Sequence, residues 1–154
     1  MWKSLSGEPV ADLAEAVRAL AGEEDRVIHV GTDSKQRGEE TEFVTAVVVL
    51  DPGQGGRVFY RRQTRPRMQA LVQRLLEEVQ QSIEVAESLD GSIPQSIVLH
   101  VDANRGREHR SGAYSRMLAG LAMGYGYEVL RKPEAWCATS VADHLVRGKK
   151  TSAA

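Results

Sequence analysis

Three aspartates stand at positions where carboxylates could act together. Asp33 falls in "IHVGTDSK", residues 28 to 35, where an alternating strand pattern with Ile28, His29 and Val30 ends just after a glycine, Gly31, that permits a close approach. Asp102 closes "QSIVLHVDAN" in the same way, and Asp143 lies in "EAWCATSVADHLVR". If the strands ending in Asp33 and Asp102 are parallel neighbours, their carboxylates leave one end of the sheet, with about 4.8 Å between strands. Two carboxylates that close raise each other's pKa or share a proton unless a cation sits between them. A hard divalent ion such as Mg²⁺ meets that need, because it takes a few carboxylate oxygens and keeps several waters for chemistry. Asp143 shares a helix face with Trp136, Thr139 and Ser140, away from Ala138, Val141, Ala142 and Leu145, so that face is able to point to a site. Singly, each aspartate has an ordinary role: Asp33 and Asp102 as Asx-type turn residues, Asp143 as a solvated helix residue beside His144. Their combination in one element order is less ordinary.

The elements that must position them follow from periodicity. The opening residues read as an amphipathic helix, capped by Ser6, with Pro9 in its first turn and Val10, Leu13, Ala14, Val17 and Leu20 at helical spacing, stopping at Gly22. A strand over 26–33, the polar turn "KQRGEE", a central strand "TEFVTAVVVL", the loop "DPGQGG" and an exposed or edge strand "RVFYRRQT" come next. After Pro66 the period changes: Val72, Leu75, Leu76, Val79, Ile83 and Ala86 form one apolar stripe on a long helix that ends at "LDGSIP". Then follow the strand "QSIVLHVDAN", the helix "SGAYSRMLAGLAMGYG", the strand "YEVLRK" and the helix "EAWCATSVADHLVR", with residues 149–154 a disordered tail. The fold class is α/β, a mixed five-stranded sheet in which three strands form an antiparallel meander and two more, each reached through a helix, lie parallel to the first.

Length and charge set limits. At 154 residues the chain is expected to be one domain over residues 1–148, burying roughly 70% of its unfolded surface. The lone Cys137 cannot form an internal bridge and "MWKSLSGEPV" has no signal-peptide pattern, which makes a cytoplasmic location the expectation. The apolar run "FVTAVVVL" is far short of a membrane helix, so no membrane partner is expected. The net charge of −1 argues against a protein that coats nucleic acid non-specifically. Its cations are nevertheless clustered: Arg57, Arg61, Arg62, Arg65 and Arg67; then Arg105, Arg107 and Arg110; then Arg147, Lys149 and Lys150. The lack of an aromatic-rich strand argues against a base-stacking platform for single strands.

Aspartates ending the first strand, ending the fourth and lying in the last helix resemble the ribonuclease H-like pattern. More closely, "HVGTDSKQ", "FVTAVVV", "HVDAN" and "RKPEAWCATSVADH" are similar to the YkuK-like family, predicted bacterial nucleases related to ribonuclease H, over about Arg26 to Leu145. The resemblance implies a ribonuclease H-like fold and a metal-dependent nuclease, with Asp33, Asp102, Asp143 and a helix glutamate holding two Mg²⁺ (or Mn²⁺) ions. One ion would orient and acidify an attacking water and the other stabilise the leaving oxygen of RNA, DNA or a hybrid. The glutamate departs from the usual place near the helix start, where Gln69 stands. Of Glu77, Glu78 and Glu84, Glu78 lies nearest the apolar stripe at about 100° per residue and is also the one the family likeness favours. Lys35, Asn104, Arg105, Arg107 and Arg110 flank the metal end in such a fold, where they would contact the phosphate backbone. His100 and His144 are lesser candidates for proton transfer. Two other readings stay open: a catalytically silent interaction or nucleic-acid-binding module, and an Mg-nucleotide-binding phosphatase-like protein, for which "DPGQGG" would be the only glycine-rich loop.

Overall fold

The computed structural model describes residues 1–22, 26–51, 55–101, 108–131 and 136–137, with backbone only at 51 and 108–113. Its elements are β1 (Trp2–Ser4), β2 (Pro9–Val10), α1 (Leu13–Ala21), β3 (Ile28–Arg37), β4 (Glu40–Asp51), β5 (Gly55–Pro66), α2 (Leu71–Asp90), β6 (Ile97–Val101), α3 (Glu108–Gly124) and β7 (Glu128–Arg131). The strands make one mixed sheet in the order β2-β1-β5-β4-β3-β6-β7. The meander β3-β4-β5 is antiparallel, β6 runs parallel beside β3, and β7 runs parallel beside β6. That is the mixed sheet expected from the sequence, with two strands more.

The additional strands come from the opening residues. Gly7, at a φ of +94°, donates its N–H to the Ser4 carbonyl and turns the chain so that Trp2 and Lys3 pair with Val10 and Pro9. The helix therefore begins only at Leu13, with Asp12 as its cap accepting from the Glu15 N–H at 3.1 Å, and Ser6 and Pro9 lie outside it. β1 adds to β5 at Phe59 and Tyr60, so the strand read as an edge is covered there, and the Arg61 guanidinium stacks over the Trp2 ring at 5.0 Å.

The second difference concerns Asp33. The chain does not turn there. β3 continues to Arg37 and reverses at Gly38, φ +60°, so the turn chemistry belongs to that glycine. Asp33 pairs with Val44 inside the antiparallel half of β3. The described parallel pairs with β6 run from Ile28↔Ile97 to Gly31↔His100, so Asp33 lies just past them.

Two apolar layers flank the sheet. On one face Ile28, Val30, Val47, Val49 and Leu99 meet α1 through Val17 and α2 through Leu75, Val79, Ile83, Ala86 and Leu89. Each fully buried Leu, Ile or Val there contributes about 1.5–3 kcal/mol. On the other face Val44, Ala46, Val48 and Tyr60 pack with Cys137, Leu5, Val58 and Trp136. No helix among the described residues is long and apolar enough to cross a membrane.

Candidate metal-binding carboxylate site

Alternation along β3 separates its polar side chains. Thr32 and Ser34 have the parity of Val30 and face α2, whereas Asp33 has the parity of His29 and Gly31 and faces the other layer, where its cross-strand neighbour Val44 is buried. Opposite Ser34, α2 presents Glu78, only 5% exposed, and the Ser34 hydroxyl donates to its carboxylate at 2.5 Å. Glu78 shares a crevice with Thr32, Leu75, Val79, His100, Val101 and Leu118. The other two glutamates point away from it. Glu77 accepts from Gln81 Nε2 at 2.8 Å and lies 3.9 Å from Arg65, and Glu84 is exposed. Gln69 precedes the helix and is exposed.

A polar seam holds α2 in the rotation that aims Glu78. Thr32 Oγ1 is 3.0 Å from Thr45 Oγ1 and 2.7 Å from Ser82 Oγ, and the Thr45 hydroxyl donates to Gln81 Oε1 at 3.4 Å. All four residues are buried, and turning the helix would leave their hydroxyl and amide groups without partners. The segment before the helix is pinned as well: Thr41 Oγ1 accepts the Met68 N–H at 3.0 Å and donates to Gln36 Oε1 at 2.5 Å, while Gln36 Nε2 donates to the Met68 carbonyl at 2.6 Å. Sequence reading picked out Glu78 by its angle to the apolar stripe but missed Ser34 and the seam. The available signal was Thr32, Ser34 and Thr45 breaking otherwise apolar strand faces.

The layer on Asp33's side contains a buried aromatic cluster. His100 Nδ1 accepts the backbone N–H of Trp136 at 3.1 Å and of Cys137 at 3.4 Å. A ring nitrogen that accepts carries no proton, so the proton of this imidazole is on Nε2, which lies 2.9 Å from His29 Nδ1 and donates to it. The Trp136 ring packs on both, with centroids 4.9 Å from His29 and 4.8 Å from His100. Burial, and then the neighbouring His29, push the His100 pKa down to about 4; burial also lowers that of His29, against a smaller opposing effect of Glu128. With both nitrogens engaged, His100 is a structural residue and not the proton-transfer group considered from sequence. Cys137 Sγ sits 3.7 Å from the carbonyls of His29 and Ala46, and burial raises its thiol pKa. Gly31, the register partner of Ala46, lies between these contacts on β3.

Of the expected site residues, Glu78 is brought against the strand that carries Asp33, and Lys35 is exposed two residues further along it. Asp102, Asn104, Arg105, Arg107, Asp143 and His144, and the side chain of Arg110, lie outside the described residues, as does the tail. The strand that leads into Asp102 is the parallel neighbour of β3, as expected. Among the described residues no three His, Cys, Asp or Glu side chains are grouped for a metal. The donors present suit a hard cation all the same. Glu78 places a carboxyl group, a hard oxygen donor, in a crevice lined largely by Leu75, Val79, Val101 and Leu118.

A family model described as ribonuclease H-like matches residues 10–147, and the chain belongs to that family. No curated protein matched. Among solved structures, ribonuclease H1 from the halophilic archaeon Halobacterium salinarum NRC-1 is 19% identical, with 76% of this chain and 98% of that chain covered and a TM-score of 0.41. The N-terminal RNase H domain of Mycobacterium tuberculosis rv2228c, solved as a fusion with maltose-binding protein, is 14% identical over 84% and 99%, with a TM-score of 0.39. Endonuclease V from Ciona intestinalis, in complex with DNA containing an inosine followed by a ribo-adenosine, is 16% identical over 90% and 65%, with a TM-score of 0.42.

Proposed function

We propose that this protein is a metal-dependent nuclease that hydrolyses phosphodiester bonds of RNA or DNA, with Asp33, Glu78, Asp102 and Asp143 holding two Mg²⁺ or Mn²⁺ ions. The observation that carries the reading is the strand pairing: β3, which bears Asp33 on one face and on the other the Ser34 that receives the buried Glu78, has as its parallel neighbour the strand that leads directly into Asp102. Membership of the ribonuclease H-like family supports it. When bound, the ions supply stabilisation of the charge that develops on the phosphate and its leaving oxygen. The chain's own contribution is placement. Ser34 orients one Glu78 oxygen, and the Thr32–Ser82 seam keeps α2 from turning. Lys35, Asn104, Arg105, Arg107 and Arg110 hold the substrate backbone through charge-assisted hydrogen bonds.

The test is cleavage of RNA, DNA and hybrid duplexes with Mg²⁺ or Mn²⁺ and with chelator. Cleavage that needs the ion and stops on chelation is the expected result. Inactivity on every substrate, with no metal binding, would favour the silent-module reading; activity confined to nucleotides or small phosphate esters would favour the phosphatase-like one.

A further inference from the structure

One buried cluster ties together the three chain segments on which the proposed aspartate ligands stand. His29 lies on β3 four residues before Asp33, His100 lies on β6 two residues before Asp102, and Trp136 and Cys137 open the segment in which Asp143 follows six residues after the cysteine. The links between them are specific. His100 accepts both backbone N–H groups of the Trp136–Cys137 peptide units through Nδ1 and turns Nε2 to His29. Trp136 covers both imidazoles, and Cys137 is 1% exposed against the His29 and Ala46 carbonyls. An apolar residue at position 100 would fill the space equally well but would leave two backbone donors at the start of that segment unmet.

We propose that His100 is a positioning residue: by accepting the N–H groups of Trp136 and Cys137 it anchors the start of the segment that carries Asp143 to the strand that leads into Asp102. In this role it is the outer-layer equivalent of the partners that orient metal ligands in other sites. The consequence for metal binding rests on the nuclease reading given above, whereas the anchoring itself does not.

The experiment compares His100→Leu with His100→Asn. Both lose the ring that meets Trp136, but Asn places its carbonyl oxygen near the position of Nδ1 and keeps the acceptor. Amide hydrogen exchange at Trp136 and Cys137 should speed up by about tenfold or more in the Leu variant and stay near wild type in the Asn variant. Mg²⁺ affinity, measured by calorimetry without substrate, should fall about tenfold or more in Leu and recover in Asn. Equal exchange in the two variants would overturn the anchoring, and an unchanged Mg²⁺ affinity in Leu would overturn its link to the metal. If the wild type binds no Mg²⁺ and cleaves nothing, the nuclease reading fails by itself and the exchange comparison still decides the anchoring. Should the Leu variant not fold, the ¹⁵N spectrum of the wild type decides: the proposal requires His100 protonated at Nε2 and bare at Nδ1, and the opposite tautomer overturns it.

Discussion

Glu78 is the residue on which structure and chemistry make opposed demands. A carboxylate 5% exposed beside Leu75, Val79, Val101 and Leu118 is poorly solvated, so its hold depends on the polar groups that meet it, Ser34 among them. Glu78→Gln keeps an acceptor for the Ser34 hydroxyl and nearly the same volume. Chemical denaturation of the metal-free variant should show stability unchanged within about 1 kcal/mol. Its cleavage rate should fall by about a hundredfold or more, roughly 2.7 kcal/mol of barrier. A variant that loses stability and activity in step would instead place Glu78 among purely structural residues. Glu77→Gln, which disturbs only the contacts to Gln81 and Arg65, should change neither the rate nor its metal dependence appreciably. Legibility at this scale was uneven. The angle of Glu78 to the apolar stripe could be read from spacing, whereas Ser34 could not be singled out, because its role depends on which face of a strand a helix from 44 residues further along covers.

Among the elements, periodicity defined α2, the meander and the two parallel strands, because each rests on a local pattern that one face of a layer imposes. Two features were not local. The strands at Trp2–Ser4 and Pro9–Val10 are too short to show alternation, and they exist because Gly7 turns the chain and β5 offers Phe59 and Tyr60 as a template. The reach of β3 beyond Asp33 was hidden because Ser34, Lys35, Gln36 and Arg37 are polar, although they pair with Phe43 to Glu40 as regularly as the apolar half. The seat of Cys137 against the His29 and Ala46 carbonyls was not legible in the sequence, and it gives a test of how that segment docks on the sheet. Ala46 is fully buried, with Cys137 Sγ 3.7 Å from its carbonyl, so Ala46→Leu adds a side chain where that residue is seated. The overpacking should destabilise the protein by about 1–3 kcal/mol and expose Trp136 to a soluble fluorescence quencher. The other tryptophan, Trp2, is replaced by Phe in both proteins so that Trp136 alone is read. Unchanged quenching would mean that the segment does not depend on this seat.

For the whole molecule, a near-balanced charge with clustered arginines implies binding that is directed and not general. Arg105, Arg107 and Arg110 directly follow Asp102, and replacing all three by Ala should weaken nucleic-acid affinity and flatten its dependence on salt, because fewer counterions leave when fewer phosphates are neutralised. Mg²⁺ affinity without substrate should be unaffected. An unchanged salt slope would return these arginines to a solvated loop. The fold and the family were both legible in the combination of three aspartates with the element order, while the ligand set remains a proposal because it depends on distances that sequence spacing does not contain. The measurement that tests it most directly is the cleavage rate of the wild type against Asp33→Asn and Asp143→Asn, on RNA, DNA and hybrid substrates with Mg²⁺ or Mn²⁺, with thermal unfolding of all three. Asn keeps size and hydrogen-bonding reach, so an aspartate whose charge has no task in a site should tolerate it within about 0.5 kcal/mol. The expected result is an ion-dependent wild type and two folded variants slower by about a hundredfold or more; an active wild type matched by equally active Asn variants would contradict the carboxylate site.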